Sequence, residues 1–131
     1  MAYLLQVDFP FEGPFGEEME KAFWDLAKSI NEEEGFHWKI WTENQETKEA
    51  GGIYVFEKKQ DAEKYGEMHK NRLQTFGVKD IRVRIFTINE KLTKLNRGYS
   101  KEEFKKKKGI ISSFFEFFFT RISRNLNCCC E

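Results

Sequence analysis

The apolar and polar positions between Gly35 and Phe56 predict two strands joined by a polar, turn-rich connection. Alternation places the first strand's side chains on two faces, with Phe36, Trp38 and Ile40 on one and His37, Lys39, Trp41 and Glu43 on the other. In the second strand Tyr54 and Phe56 share a face, opposite Ile53 and Val55. A strand with one solvated face alternates apolar with polar residues, and Trp41, Ile53 and Val55 break that rule. We therefore expect both sheet faces to be covered, one by helices and the other by a partner subunit or a ligand.

Four more elements surround this pair of strands. A strand is predicted over Tyr3–Phe9 and another over Lys79–Asn89, because both runs alternate. Helices are predicted from about Phe15 to Glu33 and from about Gln60 to Thr75, where apolar residues recur every three or four positions. The order βαββαβ predicts an α+β fold of the ferredoxin-like class, an antiparallel sheet with both helices on one face.

Composition adds limits. The chain has 131 residues with 22 basic and 22 acidic side chains, and the even balance gives no indication of a nucleic-acid partner. All three cysteines are consecutive, Cys128–Cys130, which excludes disulfides or a thiolate metal site in the body. No run is long enough to span a bilayer and no signal peptide is evident, so the expected location is cytoplasmic.

The chain divides into a predicted domain over residues 1–96 and an extension over residues 97–131. The extension is basic, rich in Phe and of low complexity. It is interpreted as an extension without assigned function. The alternatives are a membrane-surface anchor, combining basic residues, Phe and acylated cysteines, or a segment that packs in an oligomer.

Within residues 1–96, the runs GFHWKIWTE and EAGGIYVF, with LLQVDFPFEGPFGEEM before them and FTINEKLTKLN after, resemble the YdhR family of monooxygenases. The resemblance implies the dimeric α+β barrel arrangement, in which two ferredoxin-like subunits press their sheets together. It also implies oxygenation of a small aromatic or quinone-like compound without a cofactor. The predicted partners are thus a second copy of the chain and a small aromatic molecule, with no cofactor and no metal.

Such chemistry requires an apolar cavity with a few hydrogen-bonding groups. Trp38, Trp41, Phe9 and Phe56 are candidates for its walls. His69, Tyr54 and Glu43 are candidates for catalysis, His69 because an imidazole titrates near neutral pH. Packing in the core or in a dimer interface is the competing interpretation for each of them.

Two further interpretations concern structure and alternative functions. Asp8 in the first strand needs a cationic partner, and Arg82 or Arg84 of the last strand is expected to supply it. A module that binds a small hydrophobic ligand without catalysis remains an alternative function. So does an isomerase or lyase that performs only the proton transfer.

Overall fold

The computed structural model describes residues 1–99, and the extension predicted over residues 97–131 lies almost wholly outside them. The described residues divide into a compact unit over Met1–Glu90 and a second unit that begins at Lys91. The elements in chain order are β1 (Tyr3–Pro10), α1 (Gly16–Ile30), β2 (Phe36–Asn44), β3 (Glu49–Phe56), α2 (Lys59–Thr75), β4 (Arg82–Thr87) and α3 (Glu90–Leu95). The six-residue α3 has no counterpart in the predicted order, and β4 is shorter than predicted.

The four strands form one sheet in the order β2-β3-β1-β4, and all three pairings are antiparallel. This is the ferredoxin-like arrangement, so the predicted fold class is confirmed. Leu5 pairs with Tyr54 on one side and Ile85 on the other, and these residues share the face on which both helices pack. The functional residues of that face therefore lie under helical cover.

A β-bulge in β2 changes the expected faces. Phe36 pairs with Phe56, but Trp38 already pairs with Val55, so His37 is an extra residue. The prediction that Phe36 shares a face with Trp38 and Ile40 is wrong, because the bulge shifts the alternation by one position. Phe36 instead packs edge-on against Phe56, at 5.9 Å between ring centroids.

The two helices lie at different heights above the sheet. A Cβ at Gly66 of α2 would lie only 3.1 Å from Leu5 Cδ1, which shows how closely that helix approaches β1. The backbone of α1 stays farther from the strands, and its Met19, Phe23 and Leu26 side chains bridge the distance to the core. The wider separation leaves room for a cavity between α1 and the sheet.

The opposite sheet face carries both charged and apolar side chains. Arg82 donates to Asp8 across β1 and β4 and also contacts Glu49 at 3.3 Å, which confirms the partner expected for Asp8. On the same face Ile40 is 49% exposed and Phe86 47% exposed. Among residues 1–99, no helix is long and apolar enough to cross a membrane.

Candidate active site

A cavity of about 400 Å³ lies between the sheet and the two helices. Its lining is mostly apolar, and the residues that form it are Phe9, Phe11, Met19, Phe23, Leu26, Lys39, Trp41, Ala50, Gly51, Tyr54, His69, Arg72, Leu73, Phe76 and Val78. Phe76 follows the end of α2 and is 78% exposed, so it stands where the cavity meets solvent. The volume and the apolar walls are typical of a small-molecule site.

Aromatic rings form one wall. Phe11 meets Phe9 edge-on at 6.0 Å and contacts Phe23 at 6.3 Å between ring centroids. Phe23 of α1 stacks on Trp41 of β2 at 6.1 Å with an interplanar angle of 13°. Contacts of this kind fix ring orientations and leave flat faces suited to an aromatic ligand.

Tyr54 stands at the centre of the cavity floor. Its side chain is almost fully buried, and its ring lies 5.0 Å from that of Tyr65 and 6.2 Å from that of His69. Burial, reinforced by the neighbouring Tyr65, raises the pKa of the Tyr54 phenol above its usual range. Tyr54 therefore stays neutral and is suited to donating a hydrogen bond rather than to accepting a proton.

His69 is held by a hydrogen bond from α2 itself. Arg72 Nη2 lies 3.0 Å from His69 Nδ1. Because a guanidinium has only donors, Nδ1 accepts and the hydrogen of the neutral imidazole is on Nε2. Burial, with the positive charges of Arg72 and Lys39, lowers the pKa of His69 to about 4. At neutral pH His69 is thus an uncharged hydrogen-bond donor.

The ring of Tyr65 lies 5.6 Å from that of His69, and its hydroxyl is a further polar group of this region. It is buried and, among the described residues, has no hydrogen-bond partner of good geometry, although Tyr54 and Arg72 are close enough to influence it. Burial raises the pKa of the Tyr65 phenol. Tyr65 is therefore a second neutral hydroxyl next to Tyr54, while the cavity itself is lined by the Tyr54 hydroxyl, the His69 imidazole and the Arg72 guanidinium.

Lys39 is the functional candidate that the sequence analysis missed. Its Nζ lies 3.2 Å from the centroid of the Trp41 ring and 4.5 Å from that of Tyr54. A Cβ at Gly52 would lie 2.6 Å from Lys39 Cε, so this glycine makes the room that the lysine occupies. Burial, with a smaller effect of Arg72, lowers the pKa of Lys39 from 10.5 to about 7. The amine is therefore available in its basic form near neutral pH.

The seven predicted site residues separate into two groups. Phe9, Trp41, Tyr54 and His69 line the same cavity. Phe56 does not, since it is fully buried against Phe36, Tyr54 and Tyr65. Trp38 borders a separate groove between α1 and the edge of β2.

Glu43 is also outside the cavity. Both of its carboxylate oxygens accept from the backbone N–H of Gly16, at 3.1 and 3.3 Å, at the first residue of α1. A carboxylate there satisfies a free N–H and suits the positive end of the helix dipole. This contact favours a capping role that positions α1 above the cavity.

A metal site is not formed within residues 1–99, where no group of three or more His, Cys, Asp or Glu side chains is close enough to hold an ion. The described lining of the cavity contains no carboxylate either. Its charged groups are Lys39 and Arg72, both basic. The arrangement therefore combines apolar walls, neutral donors and positive charge.

Two comparisons with known proteins found a similarity. The model of the family described as "Putative mono-oxygenase ydhR" matches residues 4–99. The chain is also similar to the structure of a "putative antibiotic biosynthesis monooxygenase" from Deinococcus radiodurans. That similarity has a TM-score of 0.48 and 10% identity, and it covers 69% of this chain and 94% of the other. No curated protein sequence matches the chain.

Proposed function

This chain belongs to the ydhR mono-oxygenase family, and we propose that it oxygenates a small electron-rich aromatic compound bound between the sheet and the helices. The observation that supports this proposal most strongly is the aromatic-walled cavity of about 400 Å³ with Tyr54 and His69 at its floor. A flat ligand there would stack beside Trp41 and Phe23, and its polar oxygen would meet the hydrogen-bond donors.

The proposed reaction uses electrons from the substrate itself. A ring CH2 group flanked by aromatic rings, or the CH group opposite a phenol, reacts with O2. In the first case the CH2 carbon loses its two hydrogens and becomes a C=O group. In the second the phenol loses its O–H hydrogen and the hydrogen on the opposite carbon, and that carbon becomes the new C=O group. The second oxygen atom leaves as water. The reaction requires no external reductant. It does require the removal of a proton from the substrate, because the resulting electron-rich anion is the species that reacts with O2.

Tyr54 and His69 are proposed to orient the substrate oxygen. Both are buried, both are neutral at pH 7, and each has a donor hydrogen, on the hydroxyl of Tyr54 and on Nε2 of His69. Donors held in fixed positions stabilise an oxygen on which negative charge develops, and the effect is larger where water is excluded.

The proposal is tested by O2 uptake with anthrones, and with phenols and catechols that have a free C–H opposite a hydroxyl, using protein freed of metal and flavin. We expect uptake that depends on both protein and substrate, with one atom of ¹⁸O2 in the product and one in water. Tyr54→Phe should lower kcat/KM by about two- to tenfold, the effect of one hydrogen bond. The matched control is Tyr3→Phe, the same change on the same sheet outside the cavity. Saturable Trp quenching without uptake would instead indicate a ligand-binding module.

We further propose that two copies of the chain pair through the sheet face opposite the helices. Ile40 and Phe86 are large apolar residues of that face and are about half exposed. Covering them removes apolar surface from water. Light scattering should give the mass of a dimer, and Ile40→Lys should give a monomer. Trp24→Lys changes an exposed residue of α1 and should leave the dimer intact.

A further inference from the structure

Two basic side chains line the cavity without an acidic partner. Lys39 reaches in from β2 and Arg72 from α2, and within residues 1–99 neither forms an ion pair with a carboxylate. Every other residue of the described lining is apolar or uncharged at neutral pH. Burying a charge is costly unless an opposite charge accompanies it.

The surroundings of Lys39 supply partial compensation only. Its Nζ lies over the Trp41 and Tyr54 rings, and cation–π contact of this kind stabilises a cation modestly. The titratable groups facing it are Tyr54 on β3 and Tyr65, His69 and Arg72 on α2, whereas the α1 side contributes Met19, Phe23 and Leu26. None of these groups carries negative charge at neutral pH. A bound anion would therefore supply the charge that the cavity lacks.

We propose that the cavity binds its substrate as a phenolate or enolate, formed when the substrate O–H gives its proton to the Lys39 amine, and that Lys39 and Arg72 hold the resulting anion. In this step the O–H bond breaks, an N–H bond forms on Nζ, and the electron pair stays on the substrate oxygen. This inference deepens the proposed function, since it names the substrate class of the same site. The anion it produces is the species that reacts with O2.

His69 and Glu43, two of the residues predicted to be catalytic, do not compete with Lys39 as proton acceptors. His69 has its Nδ1 occupied by Arg72 and carries its hydrogen on Nε2. Glu43 is engaged at the first residue of α1 and does not line the cavity. The amine of Lys39 is the group in the described lining that combines basicity near neutral pH with an unoccupied lone pair.

The test uses 4-nitrophenol, which absorbs visible light only when ionised, and its methyl ether 4-nitroanisole, which cannot ionise. The titration is buffered near pH 7, where part of the Lys39 amine holds no proton, and the absorbance of the free compound at the same pH is subtracted. We expect the bound phenol to show phenolate absorbance. We also expect the ether to bind at least about tenfold more weakly, because it cannot form the hydrogen bond between an anion and a charged group. Tenfold is about the lower end of the loss in affinity when such a bond is removed.

The variant Lys39→Met should abolish the phenolate absorbance and reduce affinity for 4-nitrophenol toward that for the ether. Lys64→Met, on an exposed position of α2 outside the cavity, is the matched control and should behave as wild type. A phenol bound without visible absorbance, equal affinity for the ether, no binding of the phenol, or unchanged phenolate absorbance in Lys39→Met would each overturn the proposal.

Failure here is separable from failure of the oxygenase proposal. Phenolate binding without O2 uptake on any substrate would overturn the oxygenase and leave the anion site. Protein-dependent O2 uptake, with 4-nitrophenol bound as the neutral phenol, would overturn the anion site and leave the oxygenase.

Discussion

Replacing Lys39 by Met is expected to stabilise the folded protein near neutral pH. The lysine is partly buried beside Arg72, and this environment lowers its pKa from 10.5 to about 7. Between these two values the unfolded chain holds a proton on Lys39 that the folded chain does not. The free energy of unfolding of wild type therefore rises with pH across this range, because the unfolded state binds more protons.

The size of the effect follows from the pKa change. One pKa unit corresponds to 1.36 kcal/mol, so the full change costs the folded state up to about 5 kcal/mol at and below pH 7. Met has similar length and no charge, so Lys39→Met removes this cost. The variant also loses the contacts of Nζ with two aromatic rings, and the net gain expected at pH 7 is about 2–3 kcal/mol.

The assay is urea unfolding followed by circular dichroism, repeated at several values from pH 7 to pH 10. The stability advantage of Lys39→Met should be largest at pH 7. It should shrink by up to about 1.4 kcal/mol for each pH unit, because across this range the unfolded lysine of wild type holds one proton more than the folded lysine. Lys64→Met, in which an exposed lysine is replaced, should show neither the gain nor the trend.

A variant less stable than wild type at pH 7, or an advantage that stays constant up to pH 10, would refute the reasoning. Either result would mean that the Lys39 amine is hydrated and ordinary in the folded state. The proposal that it takes the substrate proton would then lose its physical basis.

Three further predictions concern neighbouring groups. Gly52→Ala should reduce phenolate binding by at least about tenfold in the same titration, because its Cβ would lie 2.6 Å from Lys39 Cε and displace that side chain. The NMR chemical shifts of the His69 ring should stay constant from pH 8 down to about pH 5, because the folded imidazole stays neutral there. The free energy of unfolding should fall as the pH drops from 6.5 toward 4, because His69 binds a proton in the unfolded chain before it does so in the folded chain. Glu43→Gln should lower the free energy of unfolding by about 0.5–1 kcal/mol, measured in urea, through a weaker interaction with the start of α1; a loss of activity at unchanged stability would indicate a catalytic Glu43 instead.

The order of the main elements could be predicted from the sequence because it depends on local periodicity. Alternation along β1 and the apolar stripe of α1 are visible in short windows, and short-range sterics with burial of one face enforce them. The local pattern also indicated that the sheet face of Trp41 is covered by other parts of the structure, because Trp41 is a large apolar ring at a position where a solvent-exposed face would have a polar residue. The placement of Tyr54 and His69 in one cavity follows from the fold once β3 and α2 are adjacent.

The charged side chains that line the candidate site could be identified only from the tertiary structure. In sequence Lys39 is the polar member of an alternating strand and reads as solvent-exposed, and only the cover of α1 and the missing side chain at Gly52 bury its amine. The bulge at His37 likewise has no local signal, because register depends on the partner strand. Local pattern thus determined the main elements and, away from the bulge in β2, the faces of their side chains. The burial of charge, which sets pKa and chemistry, depends on residues distant in sequence and was decided by packing.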